Sequence, residues 1–228
     1  MIKLILVRHG QSIWNKENKF TGWTDVELSK EGIIEAKTAG KILKNNGYHF
    51  DLAYTSVLKR SIDTLNYIFD ELGEKALVEY SWKLNERHYG ALQGLNKNEI
   101  KKKYGEQQVF LWRRSMNERP PKLDLNDNRY PGNDPKYKDV NIKELPRCEN
   151  LADTMKRVVE YWNTNISKEL IKGKKIIIVA HGNSLRGLIK YLDNLTDEEI
   201  LNLEIKTGCP ICYELDNHLK PIRHYYIK

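Results

Sequence analysis

Two short runs of this sequence place a histidine among groups suited to chemistry on an anion: Leu6-Val7-Arg8-His9-Gly10-Gln11-Ser12 and Ala180-His181-Gly182-Asn183-Ser184. Each follows an apolar, β-branched stretch, Ile2 to Val7 and Lys175 to Ala180, that reads as a buried strand. In open α/β sheets ligands collect beyond the carboxyl ends of the strands, where both histidines fall. Glycine after each histidine lets the backbone turn sharply and brings N–H groups near a bound anion, with a helix N-terminus after Asn183. One histidine in such a place is ordinarily a turn or core residue. Two in the same context point to a shared site. His49 and His218 read as surface turns, His224 as a strand residue and His88 as a neighbour of Glu86. Metal ligation is not expected, because neither strand end offers Asp or Cys at ligand spacing. The lone Cys209-Pro210-Ile211-Cys212 reads as two small buried residues.

The elements that must position these residues alternate along the chain. After the first strand comes a helix capped at Ser29 and ending near Asn45-Asn46-Gly47, then a strand over Asp51 to Tyr54. A helix from Ser56 turns Ile62, Leu65, Ile68 and Leu72 inward and stops at Gly73; Ala76 to Tyr80 is the next strand. Helical segments cover Asn96 to Tyr104 and Glu106 to Ser115. A long helix from about Asn150 stacks Val158, Trp162, Ile166 and Leu170 and ends at Gly173. Another helix starts near Asn183, Thr196 to Glu199 forms a capping box, and Pro210 to Leu215 and Pro221 to Ile227 pair across Asp216-Asn217. This pattern predicts an α/β domain with a largely parallel sheet. Residues 117–147 hold five of the seven prolines and no sustained period. Such a stretch inside a compact domain is expected to be an irregular insertion lying over the active face.

At 228 residues the chain suits one large domain or two small ones, and 30% charged with 40% hydrophobic residues is globular composition. Three cysteines give no disulfide framework and suggest a reducing compartment. Met1 to Val7 includes Lys3 and gives way to Arg8, too short for a signal peptide, and no apolar run approaches a membrane span. A soluble cytoplasmic protein is expected, without a membrane partner. The net charge of +7 suits an anionic partner. A nucleic-acid-binding module would need a continuous basic stripe, whereas acids interrupt the bases, as in Lys16-Glu17.

Taken with what lies between them, the two histidine runs resemble the histidine phosphatase superfamily and, within it, the cofactor-dependent phosphoglycerate mutases. The resemblance rests on Arg8-His9-Gly10, Trp14 to Asn18, Phe20-Thr21-Gly22-Trp23, Ser56 to Arg60, Leu84 to Lys97, Trp112-Arg113-Arg114 and Ala180 to Arg186. It implies a single three-layer α/β domain over 1–228 with the 117–147 insertion as a lid. It implies an enzyme of glycolysis and gluconeogenesis that interconverts 3-phosphoglycerate and 2-phosphoglycerate, primed by 2,3-bisphosphoglycerate and using no metal. His9 would be the nucleophile, with Arg8, Arg60 and His181 around the transferring phosphoryl group and Glu86 as general acid and base. Tyr89, Lys97, Arg113 and Arg114 would grip a small phosphorylated sugar acid, and Ser12, Asn15, Thr21, Gly22, Gly182 and Asn183 would complete the phosphate pocket. A bisphosphoglycerate mutase or phosphatase on the same fold is the alternative. A homo-oligomer is compatible with the resemblance.

Three departures from the family pattern carry expectations. Gln11 stands where the mutases carry Glu, which would remove a charge beside the nucleophile. Lys206 replaces a proline before Thr207-Gly208, expected to matter only locally. The chain stops at Tyr226-Ile227-Lys228 without a lysine- and alanine-rich tail, which would leave covering of the site to residues 117–147.

Overall fold

A computed structural model describes all 228 residues. In chain order the elements are β1 (Ile2–Arg8), α1 (Ile13–Lys16), α2 (Lys30–Asn45), β2 (Leu52–Thr55), α3 (Lys59–Leu72), β3 (Leu77–Tyr80), α4 (Lys97–Tyr104), α5 (Glu106–Arg114), α6 (Leu151–Tyr161), α7 (Ser167–Ile171), β4 (Ile176–Ala180), α8 (Gly182–Asp193), α9 (Glu199–Asn202), β5 (Ile211–Leu215) and β6 (Pro221–Tyr226). One sheet holds all six strands in the order β3-β2-β4-β1-β5-β6. The first four are parallel, and β5 and β6 add an antiparallel edge.

Side-chain alternation along the strands builds the three layers. Leu4 and Leu6 of β1 face Val158, Trp162, Leu185 and Leu188, whereas Ile5 and Val7 face Ala39, Leu43, Leu65 and Ile68. Thus α2 and α3 cover one face and α6 and α8 the other, as helices must on a parallel sheet. The expected long helix is α6 and α7 joined by one π-helical turn, Trp162–Ile166. Asn150 and Asp153 cap it reciprocally. The helix expected from Ser56 begins three residues later at Lys59, because Ser56 is engaged elsewhere. No helix is long and apolar enough to cross a membrane.

Residues 117–147 are irregular, with three short 3₁₀ turns at Pro131–Asn133, Pro135–Tyr137 and Ile142–Glu144. They pack against the loop that carries Glu86. Ala91 N–H donates to the Pro121 carbonyl (2.8 Å), Arg129 to the Gln93 carbonyl (2.7 Å), and the Asn85 amide to the Tyr137 hydroxyl (2.9 Å).

Candidate active site

Because β4 is inserted between β1 and β2, the connections leave β1 and β4 in different directions, which opens a crevice at their carboxyl ends. Arg8 lies opposite Ala180 in register, so His9 and His181 leave the sheet side by side, ring centroids 4.9 Å apart. The turn after His9 packs so closely on the start of α2 that a Cβ at Gly10 would lie 2.2 Å from the Gly32 carbonyl.

His9 Nδ1 lies 2.7 Å from the Gly10 carbonyl oxygen. A carbonyl only accepts, so Nδ1 carries the proton and Nε2 keeps its lone pair. Burial first, then the charges of Arg60 and Arg8, hold the imidazole well below the usual histidine pKa, and it is neutral near pH 7. His181 is displaced in the same direction by burial, then Arg60 and His9. Its Nε2 bonds the Ser56 hydroxyl (2.7 Å), which also accepts from Leu58 N–H (3.0 Å) and explains the late start of α3.

Arg60 enters from the first turn of α3 and is 1% exposed, donating to the carbonyls of Gly22 (2.7 Å) and Thr24 (3.0 Å). No carboxylate pairs with it, and burial lowers its pKa to about 10. Gly22 presents its carbonyl from a left-handed conformation (φ 58°) that a side chain would strain. Arg8 donates Nη1 to the Ile205 carbonyl (2.8 Å), while its Nε and the Thr21 hydroxyl are buried without a partner.

Glu86 accepts the Arg87 and Asn183 N–H groups on Oε1, at 2.7 and 3.0 Å. An ordinary side-chain ion pair with Arg87 does not form. That guanidinium turns instead to the Arg113 carbonyl and to Asn183 Oδ1, over the Tyr89 ring. A second group of cations comes from the helix pair α4–α5: Lys97 opens α4 and Arg113 and Arg114 close α5. Burial, then Arg113 and Arg8, push Lys97 down to about 8. Tyr89 accepts from the Asn183 amide at 3.3 Å.

One cleft of about 300 Å³ joins these groups, with eight Lys and Arg side chains against the two carboxylates Glu86 and Glu204. It is lined by Arg8, His9, Asn15, Thr21, Gly22, Arg60, Glu86, Tyr89, Lys97, Arg113, Arg114, Gly182 and Asn183. Two expected residues sit behind its surface. His181 is packed against His9, and Ser12 caps α1 by accepting from Asn15 N–H (3.1 Å) while its own N–H bonds Asn15 Oδ1.

Three expectations need correction. No residue of 117–147 lines the cleft, because that segment is spent buttressing the outer side of the 85–93 loop. Gln11 points away, its Oε1 accepting from the Ser29 hydroxyl at 2.9 Å, so the missing charge is not in the cleft. Lys206 is more than a local loop change, since it lines the cleft within the wall Leu203–Thr207. Sequence reasoning also passed over Arg186 and Glu204. Arg186 lies one helical turn after Asn183 and bonds its Oδ1 (2.9 Å), a spacing that was legible. Glu204 reaches Arg114 only through the tertiary fold, and nothing local announces it.

A parallel sheet that presents a neutral histidine among buried arginines is a site built for an anionic, phosphate-like group. The sequence matches the histidine phosphatase superfamily (branch 1) over residues 4–228, and the chain belongs to that superfamily of phosphatases and phosphotransferases. Similar solved structures include a mycobacterial glucosyl-3-phosphoglycerate phosphatase complexed with VO3, 21% identical with TM-score 0.73, covering 99% of this chain and 97% of that one. The alpha-ribazole phosphatase of Shigella flexneri is 20% identical, TM-score 0.70, over 97% and 95%. The phosphoserine phosphatase of Entamoeba histolytica, complexed with 3-phosphoglyceric acid, is 21% identical, TM-score 0.67, over 100% and 98%. At these identities the likeness is one of fold.

Proposed function

We propose that this chain is a phosphoglycerate mutase, interconverting 3-phosphoglycerate and 2-phosphoglycerate through a phosphohistidine on His9. The observation that carries the reading is the presence of two cation groups in one cleft with the free Nε2 of His9. Arg8 and Arg60 stand beside the nucleophile, and Lys97, Arg113 and Arg114 come from a separate helix pair. A hydrolase of simple monophosphates needs only the first group; a ligand with a phosphate at one end and a carboxylate or second phosphate at the other uses both.

The buried, unpartnered Arg8 Nε and Thr21 hydroxyl, with the cationic excess, fit a bisphosphate primer held by Arg8, Arg60, Lys97, Arg113 and Arg114. 2,3-Bisphosphoglycerate, when bound, supplies the phosphoryl group that primes the enzyme. His9 Nε2 attacks in line, Arg8 and Arg60 match the charge dispersed over the equatorial oxygens, and His181 fills the space beside the ring. Glu86, fixed through Oε1, has Oε2 to exchange a proton with the sugar-acid hydroxyl.

A second reading, hydrolysis of a small phosphorylated sugar acid, is favoured by the phosphatase names of the structural neighbours. One assay separates them. Incubated with labelled 2,3-bisphosphoglycerate and 3-phosphoglycerate, the protein should form 2-phosphoglycerate, carry label on His9 Nε2, and lose both in His9→Ala. Inorganic phosphate released without 2-phosphoglycerate would establish the hydrolase; label on Nδ1 or on another residue would remove the nucleophile assignment.

A further inference from the structure

Behind Glu86 lies a buried ion pair that the reaction as read above does not use. Arg157 of α6 is 6% exposed and Glu149, just before the α6 cap, 4%. Arg157 Nε and Nη2 donate to the two carboxylate oxygens of Glu149 at 2.7 and 2.8 Å. Its remaining hydrogens go to the strand of chain that carries Glu86: Nη1 to the carbonyls of Lys83 and Asn85, and Nη2 to the carbonyl of Glu86, each at 2.8 Å. All five guanidinium N–H groups therefore have acceptors. Glu149 takes hold on the other side, accepting His88 N–H at 2.9 Å. Trp23 stacks over the guanidinium, 5.5 Å from its ring centroid, and donates Nε1 to the same Glu86 carbonyl.

The residue proposed to move a proton is thus held from both ends, two donors on its carbonyl and two N–H groups on Oε1. Buried ion pairs contribute little net stability compared with apolar side chains of the same volume, so stability alone does not account for this one. We infer that Arg157, with Glu149 and Trp23, is the positioning group for Glu86, setting where its free carboxyl oxygen meets the leaving oxygen of the substrate. The inference rests on the reading of Glu86 as the proton carrier. In the step concerned the bond from His9 Nε2 to phosphorus forms as the phosphorus–oxygen ester bond breaks, and the proton of the Glu86 carboxyl passes to the departing oxygen. An alkyl oxygen needs that proton. A p-nitrophenolate does not, because its charge is spread into the ring.

The test compares single-turnover phosphorylation of His9 by 2,3-bisphosphoglycerate and by p-nitrophenyl phosphate in Arg157→Lys, Trp23→Phe and the double variant Glu149→Gln/Arg157→Met, with circular dichroism as the check on folding. The double variant removes both buried charges, so no uncompensated charge is left if Arg157→Lys fails to fold. Phosphorylation by the bisphosphate should slow about 10- to 100-fold, as expected for a misplaced catalytic group. Its half-saturating concentration should move less than about 2-fold, and the aryl ester should phosphorylate as fast as in the parent. Equal losses on both donors, or a rise in half-saturating concentration that accounts for the loss, would overturn the inference. Glu86→Gln run alongside separates the two claims. Equal losses in Glu86→Gln itself would indict the reading of Glu86; a selective loss there, with parent behaviour in folded Arg157 and Trp23 variants, would indict the clamp.

Discussion

Arg114 shows how a single side chain can be engaged twice. It closes α5 toward the cleft, yet its Nη2 pairs with the carboxylate of Glu204 and its Nη1 donates to the Leu203 carbonyl at 3.2 Å. Glu204 is 76% exposed, so the pair is a weak one in high dielectric, and it competes with any ligand anion for the same guanidinium. Glu204→Gln is expected to tighten binding of 3-phosphoglycerate about 2- to 5-fold, the range open to an exposed ion pair, and to leave inorganic phosphate nearly unchanged. Titration calorimetry with both ligands decides it. Weaker binding of 3-phosphoglycerate would show that Glu204 orients Arg114 rather than occupying it. Residues of this kind mark the limit of sequence reading: His9 and His181 were legible because each ends a recognisable strand, and Glu86 because it stands in a motif. Glu204 has no such context, since it meets Arg114 across 90 positions of chain, and Ser56, though it opens a motif, reveals its bond to His181 only across 125.

Among the elements, most strands and helices were readable to within a residue or two, because β1, β4 and β5 are short apolar runs buried on both faces whereas the helices repeat at 3.6. The exceptions are α3, which starts three residues late, and the one-turn α1, which was not read. Residues 117–147 were readable only in part. Five prolines foretell irregular backbone, but composition carries no information on which face of the domain such backbone covers. The face is decided by Tyr137, which packs with Trp23 and Leu145 and whose hydroxyl accepts from Asn85, the residue before Glu86. The segment therefore acts on the site from behind. Tyr137→Phe removes one buried hydrogen bond and keeps the ring, and should destabilise the fold by about 0.5–1.5 kcal/mol in urea melts. Its KM for 3-phosphoglycerate should stay at the parent value, because the segment gives the cleft no side chain. A raised KM with unchanged stability would return the segment to the role of a cover.

At the scale of the whole molecule, the neutrality that the proposed chemistry requires of His9, and that burial imposes on His88 and His181 as well, becomes a liability in acid. His9, His88 and His181 are 3%, 0% and 0% exposed. All three are held below the usual histidine pKa: His9 and His181 by burial and then Arg60, and His88 down to about 3 by burial and then Arg157 and Arg129. A depressed histidine pKa means that below about pH 6.5 the unfolded chain binds a proton that the folded chain does not. Stability is then full above that value and falls as the pH falls toward the folded pKa. Each such group contributes at most about 1.4 kcal/mol per pH unit, so three give a slope approaching about 4 kcal/mol per unit before the carboxylates begin to titrate. Urea melts at steps between about pH 7.5 and about pH 5 should show this decline. His88→Asn isolates one share of it, because an Asn oxygen can take over from Nδ1 the hydrogen bond donated by Gly90 N–H, 3.0 Å in the parent, while removing a titrating group. The variant's slope should be about two-thirds of the parent's, since two of the three groups remain. Unfolding free energies that stay level from about pH 6.5 to about pH 5 would mean that these imidazoles take up their protons inside the folded protein, and the neutral His9 on which the proposed nucleophilic step depends would go with them.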